Sequence, residues 1–357
     1  MEDRKVYITG TGNISPQNTA GNPDFPEEII SLESTFLRCR EPNYKEYVSG
    51  DLVRRMSRLI KMGVAAARIS LTDAGCQMPD AIITGTGLGC IEDTEKFLTS
   101  MITNNEELLT PTSFIQSTHN TVSAQIALLL KCHNYNFTYV HRGLSFESAI
   151  LDSMMNIETG QAKTVLLGSA DELTANTHSI LQRLGQVRAK PINTLDLFRD
   201  KKRGSIAGEG AAFFLLSSIP GSKAYGRIKG ITTLFKPSGN DETVEHISGF
   251  LERHNLQKTP PDLVILGNNG DPGHDRIYND VSGRIFKTST KGYFKHLCGE
   301  YFTATSFALW LAAMIMKSQV VPAIMLKDGP SPGKINNILI YNHFRNIDHS
   351  LILISHS

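Results

Sequence analysis

Two glycine-rich segments have residue types suited to holding a nucleotide phosphate. They are Ile8-Thr-Gly-Thr-Gly12 and Ile83-Thr-Gly-Thr-Gly-Leu-Gly89. A dinucleotide-binding fingerprint needs a third glycine three residues after the second, so that the following helix packs closely on its strand. Ser15 and Cys90 stand at those positions. We therefore expect tight turns between strand and helix, where backbone passes close to backbone, and no nucleotide cofactor.

A second candidate for chemistry is the run Tyr-Val-His-Arg-Gly-Leu-Ser-Phe-Glu-Ser-Ala-Ile at residues 139–150. It has the frame of the active-site turn of a thioester-forming enzyme, in which the helix dipole and backbone N–H groups activate a cysteine at a helix N-terminus. This run contains no cysteine. Ser145 is an alternative nucleophile, but the pattern places no base beside it, and a serine at a helix start is ordinarily a cap.

Composition excludes several classes of function. The 36 basic and 35 acidic residues nearly cancel, which argues against binding to nucleic acid or to an anionic membrane surface. The five cysteines, at positions 39, 76, 90, 132 and 298, lack metal-type spacing, so we expect reduced thiols, no metal site, and Cys90 and Cys298 as small buried residues. The apolar stretch from Phe307 to Met316 is shorter than a membrane span. These features predict a soluble cytoplasmic protein.

Short β-rich runs alternate with longer helical patterns along the chain, which predicts layered α/β packing around buried sheets. The segment Ile219 to Lys229 has the composition of a connector. The predicted strands are Val6–Gly10, Ala81–Thr84, Asn136–Val140, Thr164–Gly168, Ala212–Leu216, Leu263–Gly267, Asn337–Tyr341 and Leu351–Ser355. The predicted helices are Arg54–Ala74, Ile91–Met101, Thr121–Leu130, Ser145–Glu158, Glu242–His254 and Thr303–Met316.

Six segments in chain order have the form of known motifs. They are Val6 to Pro16, Arg54-Arg-Met-Ser-Arg with Ala65-Ala-Ala, Pro111 to Asn120, Val165 to Glu172, Gly208-Glu-Gly-Ala211, and Lys291 to Gly299, which follows K-x-x-x-G-H-x-x-G. Together they resemble the motifs of the β-ketoacyl synthases, a family of the thiolase superfamily. The resemblance implies a thiolase-like α-β-α-β-α layered sandwich of two similar halves, residues 1–218 and 219–357.

The resemblance fails at the residues that carry the family's reaction. Counting back from Ala149-Ile150 places Gly143 at the nucleophilic cysteine. Asn269 stands at the first catalytic histidine and cannot shuttle a proton near neutral pH, while His296 matches the second. Asp271 and Gly273 replace the threonines that meet the carrier protein's phosphopantetheine arm, and the gating loop reads Asn342-His-Phe-Arg-Asn-Ile347.

This combination resembles a chain-length factor, the non-condensing partner in heterodimeric ketosynthases of aromatic polyketide and aryl polyene or flexirubin pigment pathways. It implies an active ketosynthase subunit as partner, with acyl carrier protein engaged indirectly and no cofactor. One alternative is a residual malonyl-carrier-protein decarboxylase or thioesterase using His296, Asn269 or Ser145. The other is a homodimeric scaffold without an acyl tunnel.

The resemblance also assigns positions to the pocket and to the interface. Phe97 and Met101 lie four residues apart on one predicted helix face, so both can project into a partner's acyl tunnel or, equally, into this chain's own core. The loop Thr112–Asn120, with Thr118 and Asn120, is placed beside that tunnel at the interface. Phe146 is expected to plug the vacant acyl pocket, Phe344 belongs to the gating loop, and Thr138 and Val140 are expected on the strand at the dimer dyad.

Overall fold

The computed structural model describes residues 4–221, 224–328 and 332–356. The helices are α1 Gly50–Val53, α2 Arg58–Ala74, α3 Ile91–Thr103, α4 Pro111–Ser117, α5 Thr121–Leu130, α6 Ser145–Glu158, α7 Ala175–Arg183, α8 Asn240–Arg253, α9 Pro272–Arg284, α10 Lys295–Cys298 and α11 Thr305–Ser318. The strands are β1 Val6–Ile14, β2 Glu33–Ser34, β3 Phe36–Leu37, β4 Ala81–Gly85, β5 Tyr135–Tyr139, β6 Thr164–Asp171, β7 Ile192–Asn193, β8 Ala207–Gly208, β9 Gly210–Ser217, β10 Arg227–Phe235, β11 Leu263–Leu266, β12 Thr290–Tyr293, β13 Leu326–Asp328, β14 Asn337–Phe344 and β15 Asp348–Ser355.

Eleven of these strands form one hydrogen-bonded sheet in which a strand order is repeated. The first half reads β1-β9-β6-β4-β5, and the second reads β10-β15-β14-β11-β12 with β13 at its edge. In each half the third, fourth and fifth strands are parallel and the first two run antiparallel to their neighbours. A short antiparallel contact between β1 and β10, at Val6–Ile228 and Tyr7–Arg227, joins the halves. The predicted pair of similar halves is therefore present.

The three largest apolar clusters of the described residues lie between five layers. The outer helices α2 and α5 cover one face of the first half, and α8 and α9 cover one face of the second. The central helices α6 and α11 lie between the two half-sheets, where they pack against alternate residues of both. Every residue of α11 from Thr305 to Met316 is buried. This arrangement confirms the predicted α-β-α-β-α sandwich.

Both glycine-rich segments allow backbone to approach backbone. A Cβ atom on Gly12 would lie 2.1 Å from the Ala66 carbonyl oxygen, because α2 packs directly on β1. A Cβ atom on Gly85 would lie 2.5 Å from the Ser145 carbonyl oxygen, where the N-terminus of α6 meets β4. The second contact fixes the helix that follows Gly143.

Several element boundaries differ from the prediction. The expected helix from Arg54 begins at Arg58, because a turn separates it from α1, and the expected loop Thr112–Asn120 largely forms α4, with Pro111 in its first turn. The strand predicted at Asn136–Val140 is β5, which ends at Tyr139, so Val140 lies outside it. Within the described residues, no helix is long and apolar enough to cross a membrane.

Candidate functional site: the turn at Gly143

A tight turn connects β5 to the central helix α6. Arg142 has a φ of 48° and opens a single 3-10 turn that ends at Leu144. Ser145 Oγ accepts a hydrogen bond from the His141 N–H and donates to the Arg142 carbonyl oxygen, both at 2.8 Å. The Ser145 side chain is fully buried, and its hydroxyl is engaged within the turn. Ser145 therefore serves as a local cap of the turn.

Gly143 has no space for a side chain. A Cβ atom there would lie 2.5 Å from Phe344 Cβ and 2.9 Å from Asp348 Oδ2. The backbone N–H of Gly143 donates a hydrogen bond to the Asp348 carboxylate. The β14–β15 hairpin thus fills the space beside Gly143 with the Phe344 side chain and places a carboxylate where the helix N-terminus favours negative charge.

Asp348 is nearly buried at the start of β15. Burial raises the pKa of its carboxyl group, and His141, Arg142 and the Gly143 N–H act in the opposite direction. The charged groups of the turn therefore compensate the carboxylate. A thiolate introduced beside this carboxylate would be disfavoured by the like charge.

A buried polar cluster occupies the region of Asn269. The Asn269 side-chain amide donates to Glu300 Oε2 at 2.8 Å, and the Lys295 ammonium contacts both oxygens of Glu300 at 2.8 and 3.0 Å. Lys295 is 1% exposed. The sequence prediction missed this ion pair, although Lys295 stands where the K-x-x-x-G-H motif has a glycine. A lysine in place of the motif's glycine was the sequence signal that could have indicated this ion pair.

His296 is buried with its Nε2 atom 3.1 Å from the Ile324 carbonyl oxygen. Its ring packs edge-on against Phe198 at a centroid distance of 5.3 Å. Burial lowers the pKa of His296 to about 4, so the ring is neutral at physiological pH. Its hydrogen bond links α10 to the segment before β13, and it is not among the residues lining the neighbouring cavity.

That cavity of about 120 Å³ brings together Asn269, Glu300 and Phe344. Phe344 packs against Phe302 with tilted rings whose centroids are 4.7 Å apart, and the Arg345 guanidinium lies 4.8 Å from the Phe344 ring centre. Phe146 lies elsewhere: it is fully buried in the central layer against Phe214, 6.0 Å between centroids. Phe344 thus lies next to Gly143 and lines the same cavity as Asn269. The contacts of His296 and Phe146 are with other parts of the chain.

Glu147 is a second buried acid that the sequence prediction missed. It lies one helical turn after Gly143 on α6 and is 1% exposed. Ser350 Oγ donates to Glu147 Oε1 at 3.0 Å. Burial raises the pKa of this carboxyl group to about 7, against the hydrogen bonds from Thr305, Ser350 and its own backbone.

Two of the recognised motifs meet in a structural ion pair. Arg58, the last residue of Arg54-Arg-Met-Ser-Arg, forms a two-point ion pair with Glu209 of the Gly208-Glu-Gly-Ala segment; its Nη1 atom lies 2.8 Å from Glu209 Oε2. Glu209 also accepts the N–H of Cys39 at 2.9 Å and of Leu173 at 3.2 Å. These contacts join α2 to the segments around Glu209, so Arg58 and Glu209 stabilise the fold.

The residues predicted at the interface and tunnel lie at the surface of the first half. Phe97 and Met101 are half-buried on α3, outside the buried clusters of the described chain, and Phe97 packs on Phe114 of α4 at 5.3 Å. Thr118 and Asn120 are exposed between α4 and α5. On β5, Thr138 Oγ1 is hydrogen-bonded to Thr84 and Ser123 at 3.0 and 2.8 Å, so its side chain faces inward.

The layered sandwich and its buried helix turn define a protein of the thiolase fold. The sequence model described as "Beta-ketoacyl synthase, N-terminal domain" matches residues 36–219, just over half of the chain. The chain belongs to the β-ketoacyl synthase family.

Curated relatives are distant but extend over most of the chain. "3-oxoacyl-[acyl-carrier-protein] synthase 2" of Rhizobium meliloti (strain 1021) is 22% identical over 92% of this chain and 90% of its own length. "Nodulation protein E" of the same organism is also 22% identical, with the same coverage.

Solved structures share the fold. The ishigamide ketosynthase/chain length factor has a TM-score of 0.81 at 17% identity, covering 99% of this chain and 100% of that one. A ketosynthase (ApeO) in complex with its chain length factor (ApeC) from Xenorhabdus doucetiae has a TM-score of 0.78 at 14% identity, covering 99% and 98%.

Replacing Gly143 by cysteine tests the closure of this position. We expect Gly143→Cys to lower the free energy of unfolding by about 1–3 kcal/mol, because the new atoms overlap Phe344 and Asp348. The measurement is urea unfolding. The matched control is Gly283→Cys on α9, where a Cβ atom meets nothing within 4 Å. A Gly143→Cys protein as stable as wild type would contradict the closure.

Replacing Glu147 by glutamine tests its buried carboxyl group. The pKa of Glu147 is about 7 in the folded state, above the ordinary 4.5. The free energy of unfolding of the wild type therefore falls as pH rises through this interval. The variant should match wild type below pH 4.5 and be more stable by about 1–3 kcal/mol above pH 7. The difference is measured by urea unfolding from pH 4 to 8. The exposed Glu245→Gln serves as control, and a difference independent of pH would refute the assignment.

Proposed function

We propose that this chain is a ketosynthase-like subunit without condensing activity, which pairs with an active ketosynthase and limits the length of its product. The observation that carries the proposal is the closed position at Gly143. A condensing enzyme needs a nucleophile there, and this chain has no side chain, no space for one, and a carboxylate on the turn's N–H group.

The surface near this turn supports pairing with a second subunit. β5 forms one edge of the sheet, with β4 as its neighbour. Tyr135, Phe137 and Tyr139 alternate along β5, share one face, and contact each other at 6.3 and 4.9 Å between centroids. Leu151 and Met155 of the adjoining α6 are 51% and 54% exposed. An unpaired edge beside an apolar patch is characteristic of a protein–protein interface.

A second apolar surface lies on the α3–α4 pair. Leu98, Ile102, Phe114 and Ile115 are exposed there by 48%, 79%, 55% and 60%. Phe97 and Met101 lie half-buried under this surface. If Phe97 and Met101 were ordinary core residues, the four exposed apolar side chains beside them would have no explanation. A partner subunit whose acyl tunnel ends here would cover them. We therefore assign Phe97 and Met101 to the floor of the partner's tunnel.

The product of the complex, by this proposal, is a polyene or polyketide pigment chain carried on acyl carrier protein. The support is the sequence resemblance to chain-length factors, together with structural neighbours whose titles name a ketosynthase with its chain length factor. The rival decarboxylase or thioesterase role receives no support from the site. The Ser145 hydroxyl is engaged in its turn, and His296 bonds a backbone carbonyl away from the cavity.

Pairing is tested by co-expressing the tagged chain with a ketosynthase from the same operon and measuring the mass of the purified complex by light scattering. We expect one copy of each subunit. Phe137→Glu should separate them, because a charge would enter the apolar row at the exposed edge. It is a sharper change than Thr138→Pro, which would also break the hydrogen bonds to Thr84 and Ser123.

The matched control for pairing is Phe235→Glu, which changes a 65% exposed phenylalanine on β10, five strands away from β5. It should leave the complex intact. A stable homodimer of this chain that excludes the ketosynthase would favour the scaffold alternative. A Phe137→Glu complex of unchanged mass and affinity would show that the interface lies elsewhere.

Product length is tested in the reconstituted complex with Phe97→Ala and Met101→Ala. Removing bulk from a tunnel floor should lengthen the product by at least one two-carbon unit, as measured by mass spectrometry. Phe235→Ala is the control, because this exposed phenylalanine of β10 lies outside the α3–α4 surface. Unchanged product lengths in a folded complex would place the length-limiting residues elsewhere.

A further inference from the structure

A surface cavity of about 250 Å³ lies against the last two turns of α2, in the outer layer of the first half. Asp73 of α2 lines it together with two tyrosines, Tyr47 and Tyr225, and we call it the Asp73 cavity. None of the described residues that line it also lines the cavity beside the β14–β15 turn. The Asp73 cavity is therefore separate from the site at Gly143.

Asp73 is half-buried, with one carboxylate oxygen engaged and the other open. Its Oδ2 atom accepts hydrogen bonds from the Thr11 N–H at 2.9 Å and from the Tyr225 hydroxyl at 2.7 Å. Burial and this hydrogen bond raise the pKa of Tyr225, so the phenol stays protonated and donates. Within residues 4–221, 224–328 and 332–356, no hydrogen bond reaches Asp73 Oδ1 and no ion pair includes Asp73. The open oxygen can accept a hydrogen bond from a charged donor.

The position of Asp73 in its helix also favours a cation. Asp73 is in the last turn of α2, which ends at Ala74. The C-terminal end of a helix carries a partial negative charge, which stabilises a cation and disfavours a carboxylate. No basic residue stands in this last turn. The carboxylate and the helix end therefore add their negative potentials at the same place, without a compensating side chain from that turn.

Lys317 is a cation beside this cavity, and it already has a counter-ion. Its ammonium lies 5.4 Å from the centre of the Tyr225 ring. The same ammonium is 3.2 Å from Asp24 Oδ1 and donates to the Pro23 carbonyl oxygen at 3.1 Å. Asp24 therefore balances the charge of Lys317, which leaves the charge of Asp73 in excess.

Other charged residues around the cavity do not neutralise Asp73 either. Burial and, after it, the Glu46 carboxylate raise the pKa of the Tyr47 phenol, so a further negative charge acts on this wall. Arg40 and Glu41 line the adjoining groove and have opposite charges. Arg68 lines a separate small cavity between α2 and α5. Among the residues that the structure describes, these contacts leave Asp73 as the uncompensated charge of the cavity.

The remaining lining residues suit a primary alkylammonium group. The hydroxyl oxygens of Thr72 and Tyr47 can each accept one of its three N–H donors. Ile69 lies one helical turn before Asp73 and, with Pro23, offers apolar surface to methylene groups. A single water needs about 10–15 Å³ of such space, so a ligand with several carbon atoms fits.

We propose that the Asp73 cavity binds a small primary alkylamine, with its ammonium group on Asp73 and its carbon chain along Ile69. The ammonium ion supplies the counter-charge that both the carboxylate and the end of α2 lack. The site uses groups of this chain alone and is independent of the proposed pairing with a ketosynthase.

Ligand-observed NMR titration of the full chain with butylamine, butanol and butyrate at pH 7 tests this site. The amine is protonated at this pH, so we expect it to bind at least tenfold more tightly than the four-carbon alcohol and acid. Asp73→Asn should remove this preference. The control Glu245→Gln, which changes an exposed carboxylate on α8, should retain it.

A second variant decides the question if Asp73→Asn does not fold, since Asp73 also holds Thr11 and Tyr225. Ile69→Lys places an ammonium four residues before Asp73 on the same helix face, where it can pair with the carboxylate and occupy the cavity. It should weaken butylamine binding at least tenfold, whereas Ile69→Leu should change it less than twofold. The proposal is overturned if butylamine does not bind at millimolar concentration, if butanol or butyrate binds equally well, or if folded Asp73→Asn or Ile69→Lys binds butylamine as wild type does.

Discussion

The packing of Phe344 and Asp348 against Gly143 determines the character of this site. The contact is possible only because residue 143 has no Cβ atom, and it holds the β14–β15 hairpin against the N-terminus of α6. The turn keeps its backbone geometry, since Ser145 closes it from within. The fold thus preserves a helix end suited to negative charge, while a carboxylate of the same chain occupies its N–H group.

Internal polar contacts also occupy the neighbouring motifs. Asn269 is held by Glu300, which is itself paired with the buried Lys295. Such an ion pair is costly to break, because a single remaining charge would be buried without compensation. Arg58 and Glu209 retain a purely structural pairing. Where the chain keeps the family's motifs, as at Arg58 and Glu209, their side chains support the framework.

Much of the fold was accessible from the sequence. The helices at Thr121–Leu130 and Ser145–Glu158 agree with prediction at both ends, since their periodic apolar faces pack on sheets. The assignment of Gly143 to the nucleophile position, made by motif counting, stays a prediction. The boundary between halves at residue 218 stays a prediction.

The site itself depends on contacts between residues distant in sequence, which composition and periodicity do not reveal. Asp348 reaches Gly143 from a strand some two hundred residues later. Burial between the two half-sheets is the main cause of the raised pKa of Glu147, and the Asp348 carboxylate adds to it. The helix α4 was missed because three of its seven residues are Thr or Ser, and tertiary contacts with α3 override their weak propensity.

By the proposed function, acyl groups are carried by the partner and never by this chain. Intact-mass spectrometry of the reconstituted complex, after exposure to acyl carrier protein loaded with the starter acyl group, tests this. We expect one acyl adduct per heterodimer, on the ketosynthase subunit, and an unmodified mass for this chain. An acyl adduct on this chain would show that it retains a nucleophile and would overturn the proposal.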